Sequence, residues 1–411
     1  MKKIVLFYLA WLVSCQVYSQ QGFPAGHWCG TTSGWATKRC RALGGLKSRD
    51  DGNKVITIPH RGFWGVDGIP EGTVSAMQAA YDQYYMFVEA DLVLSKDKVL
   101  VMMHDQQTNR VTSLPKTFST DGGLDDNGSF VRSLNYNTST NNSVPSDKGS
   151  LYATFPAMKD AYYLDRDGKK STIKLQKFQD LADWVKGKEV VIALDIKTGS
   201  MTDPVIKNEY LEAVKLCLQI GRDKGILHQM LFKPGSSGQL TIKEFQDYLT
   251  PLGLWDIFSK QVNVVLINII GGSFPLAMNK SYLDAWLALP SLVGVEIIFK
   301  TENDPFLIPK PEFGNKSVLQ YIQDKGFRTG VFHPIPSDKY GAPGGRGNNF
   351  NPPNARGKLD DFRGNLEFLF SGPPQNCKRP GMLVTDRPDA DMIMLEAFGL
   401  NSKYTKRNND F

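Results

Sequence analysis

The chain has 411 residues, 41% of them apolar and 22% charged. That composition buries a substantial core and excludes collagen, coiled coil, disordered tail and polytopic membrane protein. The length accommodates two average domains or one α/β barrel of about 250 residues with insertions. The formal net charge is +6; without the leader lysines Lys2 and Lys3 it is 6 − 2 = +4, and no Lys/Arg run accompanies it, which sets nucleic acid aside as a partner.

Residues 1–19 have the pattern of an export signal: Lys2 and Lys3, then an apolar run from Ile4 to Val13, then small and polar residues. The run is about ten residues, too short to span a bilayer. Two cleavage sites compete. Val17-Tyr18-Ser19 follows the small-x-small rule, and Leu12-Val13-Ser14-Cys15 resembles a lipobox that would leave Cys15 lipidated. The expectation is an exported chain, periplasmic or secreted, with membrane attachment only through Cys15. Cys29, Cys40, Cys217 and Cys377 remain in the folded part. An even count in an exported chain permits disulfides, and Cys29–Cys40 would close a short loop. Cys217 lies in the apolar helical run LEAVKLCLQI and reads as a buried thiol. No Cys/His spacing fits zinc.

Residues 20–54 are polar, glycine-rich and aperiodic, an N-terminal extension. From residue 55 to about 400, short β-branched runs alternate with helical patterns, which predicts βαβ units around a parallel sheet. The predicted strands are 55–60, 87–91, 190–197, 229–233, 262–269, 293–299, 329–333 and 382–386. Helical patterns between them include 73–84, 175–186, 209–224, 242–252 and 316–325. Eight strand–helix repeats predict a closed TIM-type (β/α)8 barrel with its active site at the C-terminal strand ends.

A ninth run, 99–103, follows the second strand after the turn Ser95-Lys96-Asp97-Lys98 and reads as a hairpin arm. Centring the turn between Lys96 and Asp97 places Asp91 opposite Met102 and Glu89 opposite His104. Residues 106–172, rich in Ser, Thr, Asn, Asp and Gly, form an insertion between the second and third strands, expected to lie over the active-site face. The glycine- and asparagine-rich loop 336–358 follows the seventh strand.

Two of the five histidines stand at strand ends beside charged residues, in His60-Arg61-Gly62 and His104-Asp105. A pair converging on one barrel face points to acid–base catalysis. Glu89 and Asp91 share one side of a strand because side chains alternate with period two, and Asp195 and Lys197 repeat that arrangement on the next barrel strand. Carboxylates inside apolar strands are costly unless paired or bound to a cation. Three of them point to a hard divalent metal, Mg²⁺ or Ca²⁺, held by Glu89, Asp91 and Asp195; the alternative is a Lys197–carboxylate salt-bridge network, which explains the charges but not the two histidines.

The runs PHRGFWGVDGIPEGTVSAMQAA and VEADLVLSKDKVLVMMHDQQTNRVT, then VIALDIK and the late MLVTDRPD, resemble the glycerophosphodiester phosphodiesterase family. That family's pattern is HRG, PENT, E-x-D, a tight turn and HD. The resemblance covers about residues 55–395. It implies a TIM-type barrel that hydrolyses glycerophosphodiesters to glycerol 3-phosphate and an alcohol with one divalent cation. The family's histidine pair corresponds to His60 and His104, its metal carboxylates to Glu89, Asp91 and Asp195, and its HRG arginine to Arg61. Glu71 corresponds to its PENT glutamate, although PENT is PEGT here and two residues further from HRG. Lys197 corresponds to its strand lysine, and the third carboxylate is aspartate where the family usually has glutamate. Arg61, Glu71, Lys197 and Lys233 are expected to bind the substrate, with Arg61 and Lys197 also adding positive charge at the transition state. His60 is expected as base and His104 as acid. A phospholipase D-like lyase forming a cyclic phosphate from lysolipids or sphingolipids, and a non-catalytic protein binding phosphate esters, are the competing readings.

Overall fold

The computed structural model describes residues 55–400 apart from 65–67, 109, 115–116, 119–123, 126–129, 146–150, 166–167, 199–202, 235–239, 269–278, 298–304, 334–368, 371, 373–375 and 387. The leader, the N-terminal extension, Cys15, Cys29, Cys40 and the loop 336–358 therefore lie outside the described residues.

Parallel strands covered on both faces are apolar almost throughout, and the described residues supply eight of them. They are β1 (Ile56–Pro59), β2 (Phe87–Leu94), β4 (Val191–Ile196), β5 (Met230–Phe232), β6 (Asn263–Asn268), β7 (Leu292–Ile297), β8 (Arg328–His333) and β9 (Met382–Thr385). Each falls on one of the eight runs expected from sequence. Their hydrogen-bonded order is β1-β9-β8-β7-β6-β5-β4-β2, every neighbouring pair parallel, and β1 also packs beside β2 to complete a TIM-type barrel. Helices α1 (Val74–Asp82), α2 (Phe178–Val185), α3 (Pro204–Lys224), α4 (Ile242–Leu249), α5 (Trp255–Lys260), α6 (Lys280–Leu287), α7 (Val318–Asp324) and α8 (Pro388–Ala397) lie between and after the strands. Local chemistry sets several starts. Thr73 caps α1 by accepting from the Ala76 amide, Asp203-Pro204 opens α3, and Thr241 with Glu244 forms a capping box on α4. No described helix is long and apolar enough to cross a membrane.

The two side-chain parities of the strands go to two cores. Val88, Ala90, Leu92, Ile192, Leu194 and Ile196 join the helices in the outer layer, with Phe178, Cys217, Phe245 and Trp286. Ile56, Ile58, Phe87, Val191, Ala193, Leu231, Met382 and Val384 point the other way and fill the barrel. Extending this inner parity toward the C-terminal ends gives His60, Glu89, Asp91, Asp195, Lys197, Lys233 and Asp386. The apolar floor and the charged mouth are one alternation read at two heights. Glycine shapes the floor as well: a Cβ on Gly294 would come within 2.7 Å of the Met382 methyl and 2.9 Å of the Arg328 carbonyl oxygen.

The short strand β3 (Leu100–Met102) returns antiparallel along the far half of β2, pairing Leu92 with Met102, Val93 with Val101 and Leu94 with Leu100. The expected register, Asp91 opposite Met102 and Glu89 opposite His104, is therefore off by one. Lys98 adopts a left-handed φ of 61°, and the Ser95 amide donates to the Val99 carbonyl, so the turn holds three residues centred on Asp97 rather than two. Beyond β3 the insertion builds a separate small core from Val101, Met103, Val111, Leu114, Val131, Leu134, Tyr136, Met158, Tyr163 and Leu175. Within it, 140–145 pairs with 151–155 and 162–164 with 170–174, both antiparallel. Cys217 is a buried free thiol on α3, and Cys377 is free and half-buried.

Candidate active site

The turn after β1 brings His60 and Arg61 into the barrel mouth. Arg61 and Gly62 are both left-handed, at φ 62° and 80°, and the Phe63 amide donates to the Ala76 carbonyl on α1. For a non-glycine residue such a φ costs on the order of 1 kcal/mol or more, here held in place by the ion pairs of the arginine. Gly62 has no room for a side chain, since a Cβ would sit 2.6 Å from the Ala76 carbonyl carbon. Gly62→Ala is expected to lower stability by about 2–3 kcal/mol. Gly72→Ala, at φ 67° but facing open space, should lose clearly less when the two are compared by thermal unfolding.

His60 is buried with a carboxylate at each ring nitrogen: Nδ1 is 2.6 Å from Asp386 Oδ1, and Nε2 is 3.2 Å from Glu89 Oε2. Asp386 follows β9, whose ladder with β1 sets Pro59 beside Thr385. Phe332 from β8 packs edge-on against the imidazole at 4.7 Å between centroids. The second histidine, His104, lies 6.4 Å away, its ring nearly perpendicular to the first. Its Nδ1 is 2.6 Å from Asp105 Oδ1. Burial pushes the His104 imidazole below the usual histidine range, the Arg61 guanidinium adds to this, and the Asp105 contact only partly offsets it.

The two carboxylates of β2 sit in the same mouth. Glu89 Oε1 accepts from Lys233 at 2.8 Å, and Lys233 also reaches Glu296 Oε2 on β7 at 3.1 Å. Asp91 faces Arg61 Nε at 3.3 Å and Lys197 Nζ at 3.2 Å. Asp195 stands beside Asp91 in the β4–β2 register and meets Lys197 at 2.5 Å. Burial alone would raise the Glu89 carboxyl, but His60, Lys233 and Lys197 outweigh it and hold the group well below the ordinary glutamate range. Asp195 is likewise held down against its burial, chiefly by Lys197 and then Lys233. Lys233 is raised despite burial by Glu296 and Glu89.

Glu71 lies between two arginines. Its Oε1 accepts from Arg61 Nη1 at 2.9 Å and from Arg110 Nη2, and its Oε2 accepts from Arg110 Nη1 at 3.0 Å. Although burial opposes ionisation, Arg110 and Arg61 lower this carboxyl to about 2. Arg110 also grips Asp105, through Nε to Oδ2 and Nη2 to Oδ1 at 2.9 Å.

All nine residues singled out from sequence thus gather at one end of the barrel. Their partners differ from expectation in three places. Glu71 has both oxygens engaged by arginines, and Lys233 is held between two glutamates. Asp195 is paired with Lys197 and stands outside the group of potential metal-ligating atoms found among the described residues. That group is His60, Glu89 and Asp91, one atom from each lying within 4.8 Å of the others. Sequence reasoning missed Asp386, Glu296, Asp105 and Arg110 as site residues. The inner parity of β9 would have exposed the first, and the third adjoins His104.

The site fits a divalent cation by its own chemistry. Glu89 Oε2 and both Asp91 oxygens are buried without a hydrogen bond, each facing only a charged or imidazole nitrogen at 3.2–3.3 Å. Among the described residues, the ion pairs set seven carboxylates (Glu71, Glu89, Asp91, Asp105, Asp195, Glu296, Asp386) against four fixed cations (Arg61, Arg110, Lys197, Lys233). Such a surplus of buried negative charge is costly unless a cation offsets it.

Residues 60–244 match the Glycerophosphoryl diester phosphodiesterase family. A curated Glycerophosphodiester phosphodiesterase of Bacillus subtilis is 36% identical over 70 residues, 17% of this chain and 22% of the relative. Glycerophosphodiester phosphodiesterase 1 of Homo sapiens is 38% identical over 73 residues, 18% of this chain and 20% of the relative. The matched stretch thus spans about a fifth of the length of these curated relatives. A crystal structure from Silicibacter pomeroyi, assigned to the glycerophosphoryl diester phosphodiesterases, superposes with a TM-score of 0.50 at 15% identity, covering 88% of this chain and 99% of that one.

Proposed function

We propose, from the match of residues 60–244 to the glycerophosphoryl diester phosphodiesterase family, that the chain belongs to that family and hydrolyses glycerophosphodiesters to glycerol 3-phosphate and an alcohol. The observation that carries the reading is two histidines 6.4 Å apart over a buried carboxylate pair. A phosphodiester needs its charge neutralised, a nucleophile deprotonated and a leaving alkoxide protonated.

Glu89 and Asp91, with Asp195 beside them, would hold one divalent cation, Ca²⁺ or Mg²⁺. Such an ion acts as a Lewis acid toward a phosphoryl oxygen. Arg61 and Lys197 present positive charge to the same group. His104 supports a role opposite to the one expected from sequence. Asp105 is held as a carboxylate by Arg110 despite its burial, so it accepts from Nδ1–H, and neutral His104 keeps a lone pair on Nε2. That nitrogen takes the proton of the attacking water as its oxygen bonds to phosphorus. His60 has a carboxylate at each nitrogen, either of which can accept an N–H of the ring. As the phosphorus–alkoxide bond breaks, His60 gives its proton to the departing oxygen. The barrel domain 55–400, its insertion and the exported location expected from residues 1–19 complete the proposal.

The test is release of glycerol 3-phosphate from glycerophosphocholine and glycerophosphoethanolamine with Ca²⁺, Mg²⁺ or EDTA. Metal-dependent release, abolished by EDTA, is expected. A cyclic phosphate formed from lysolipid instead would replace the hydrolase with a lyase.

A further inference from the structure

Arg110 comes from the aperiodic start of the insertion, yet it is the best-connected cation near the mouth. Its planar fork spans two carboxylates on different loops. Nε and Nη2 hold Asp105 immediately after His104, and Nη1 and Nη2 hold Glu71 in the β1–α1 connection. Glu71 continues to Arg61 at 2.9 Å, and Asp105 continues to His104 Nδ1 at 2.6 Å. The result is an alternating series, Arg61–Glu71–Arg110–Asp105–His104, that ties the HRG turn to the second histidine.

We propose that Arg110 is a positioning residue for catalysis: by clamping Asp105 against Glu71 it fixes the His104 ring in the Nδ1–H tautomer with Nε2 facing the mouth. The clamp rests on the diesterase reading for its consequence but not for its geometry. Arg110 itself touches neither Glu89 nor Asp91 in any recorded hydrogen bond or ion pair. Its contribution therefore runs through His104 rather than through a metal ligand. A lysine cannot replace it, because one ammonium lacks the planar fork that grips each of two carboxylates through two nitrogens.

The test combines turnover with a measurement that needs none. In protein labelled with ¹⁵N-histidine, and with His104 assigned by its loss in His104→Gln, the wild-type ring should show a protonated Nδ1 and a bare Nε2. Asp105→Asn and Arg110→Ala should lose that single state. Arg110→Lys is expected to lower kcat about 10–100-fold with KM unchanged, and Ca²⁺ affinity by calorimetry should stay at the wild-type value. Guanidinium ion should partly restore Arg110→Ala, whereas ammonium at the same concentration should not. A wild-type His104 protonated at Nε2, or an Arg110→Lys protein with undiminished kcat, would overturn the proposal. So would a loss confined to KM or to Ca²⁺ affinity. If Arg110→Ala fails to fold, the wild-type tautomer and the lysine variant still decide. A wild-type protein that releases no glycerol 3-phosphate defeats the diesterase reading alone, since the tautomer is read without substrate.

Discussion

Glu89→Gln is expected to abolish stoichiometric Ca²⁺ or Mg²⁺ binding and to lower turnover by about 10³-fold or more. The size follows from the several kcal/mol that a bound cation supplies to developing phosphoryl charge, at about 1.4 kcal/mol per decade. Glutamine preserves shape, so the change isolates charge. Glu89 Oε2 is buried without a hydrogen bond, and an amide placed there offers at best a neutral oxygen. The variant also leaves Lys233 with Glu296 as its remaining carboxylate partner of the two recorded. That makes a modest fall in Tm part of the expectation. Calorimetric titration with each cation, alongside the diesterase assay, reads both effects. A variant that still binds one cation with wild-type affinity would place the metal elsewhere.

The second large effect concerns the histidines. His104→Ala and His60→Gln should each lower kcat by about 10²–10⁴-fold, but their substrate dependence should differ. If His60 protonates the leaving alkoxide, its variant recovers most of its rate on an aryl ester whose leaving group needs no proton. The His104 variant stays slow on both. The pH profile carries the same distinction. A base is lost on protonation, so activity should fall as pH decreases through the His104 value. Burial and Arg61 hold that value below the ordinary 6.5, so the acidic limb should lie below pH 6.5. Recovery of His104→Ala on the activated ester would interchange the two roles.

Much of this site was legible before any coordinates because strands are periodic. Once 87–91 and 190–197 are strands, Glu89, Asp91, Asp195 and Lys197 must share the faces that they do, and HRG after a β-branched run places His60 at a strand end. The register of the return strand was not legible. A one-residue difference in turn length hinges on whether Lys98 goes left-handed, a choice of order 1 kcal/mol that composition does not reveal. His104 nevertheless reaches the mouth: the Met103 amide still donates to the Asp91 carbonyl, and beyond it Asp105 and Arg110 hold the ring. Partners that depend on strand order, such as Asp386 for His60 or Glu296 for Lys233, need the closed sheet before they become neighbours. Arg110 stands near the end of the second run that carries the family resemblance, but only the fold shows which two carboxylates it joins.

The small core beneath the insertion has an architectural consequence. Val101 and Met103, the residues leading directly to His104, are packed among Val111, Leu134, Met158 and Tyr163, not among the residues filling the barrel. One member of the histidine pair is therefore mounted on the barrel wall and the other on an attached module with its own foundation. The unit that can be inherited, transplanted or redesigned intact is the barrel together with that module, and trimming the chain to an idealised eightfold repeat would remove half of the proposed proton-transfer pair.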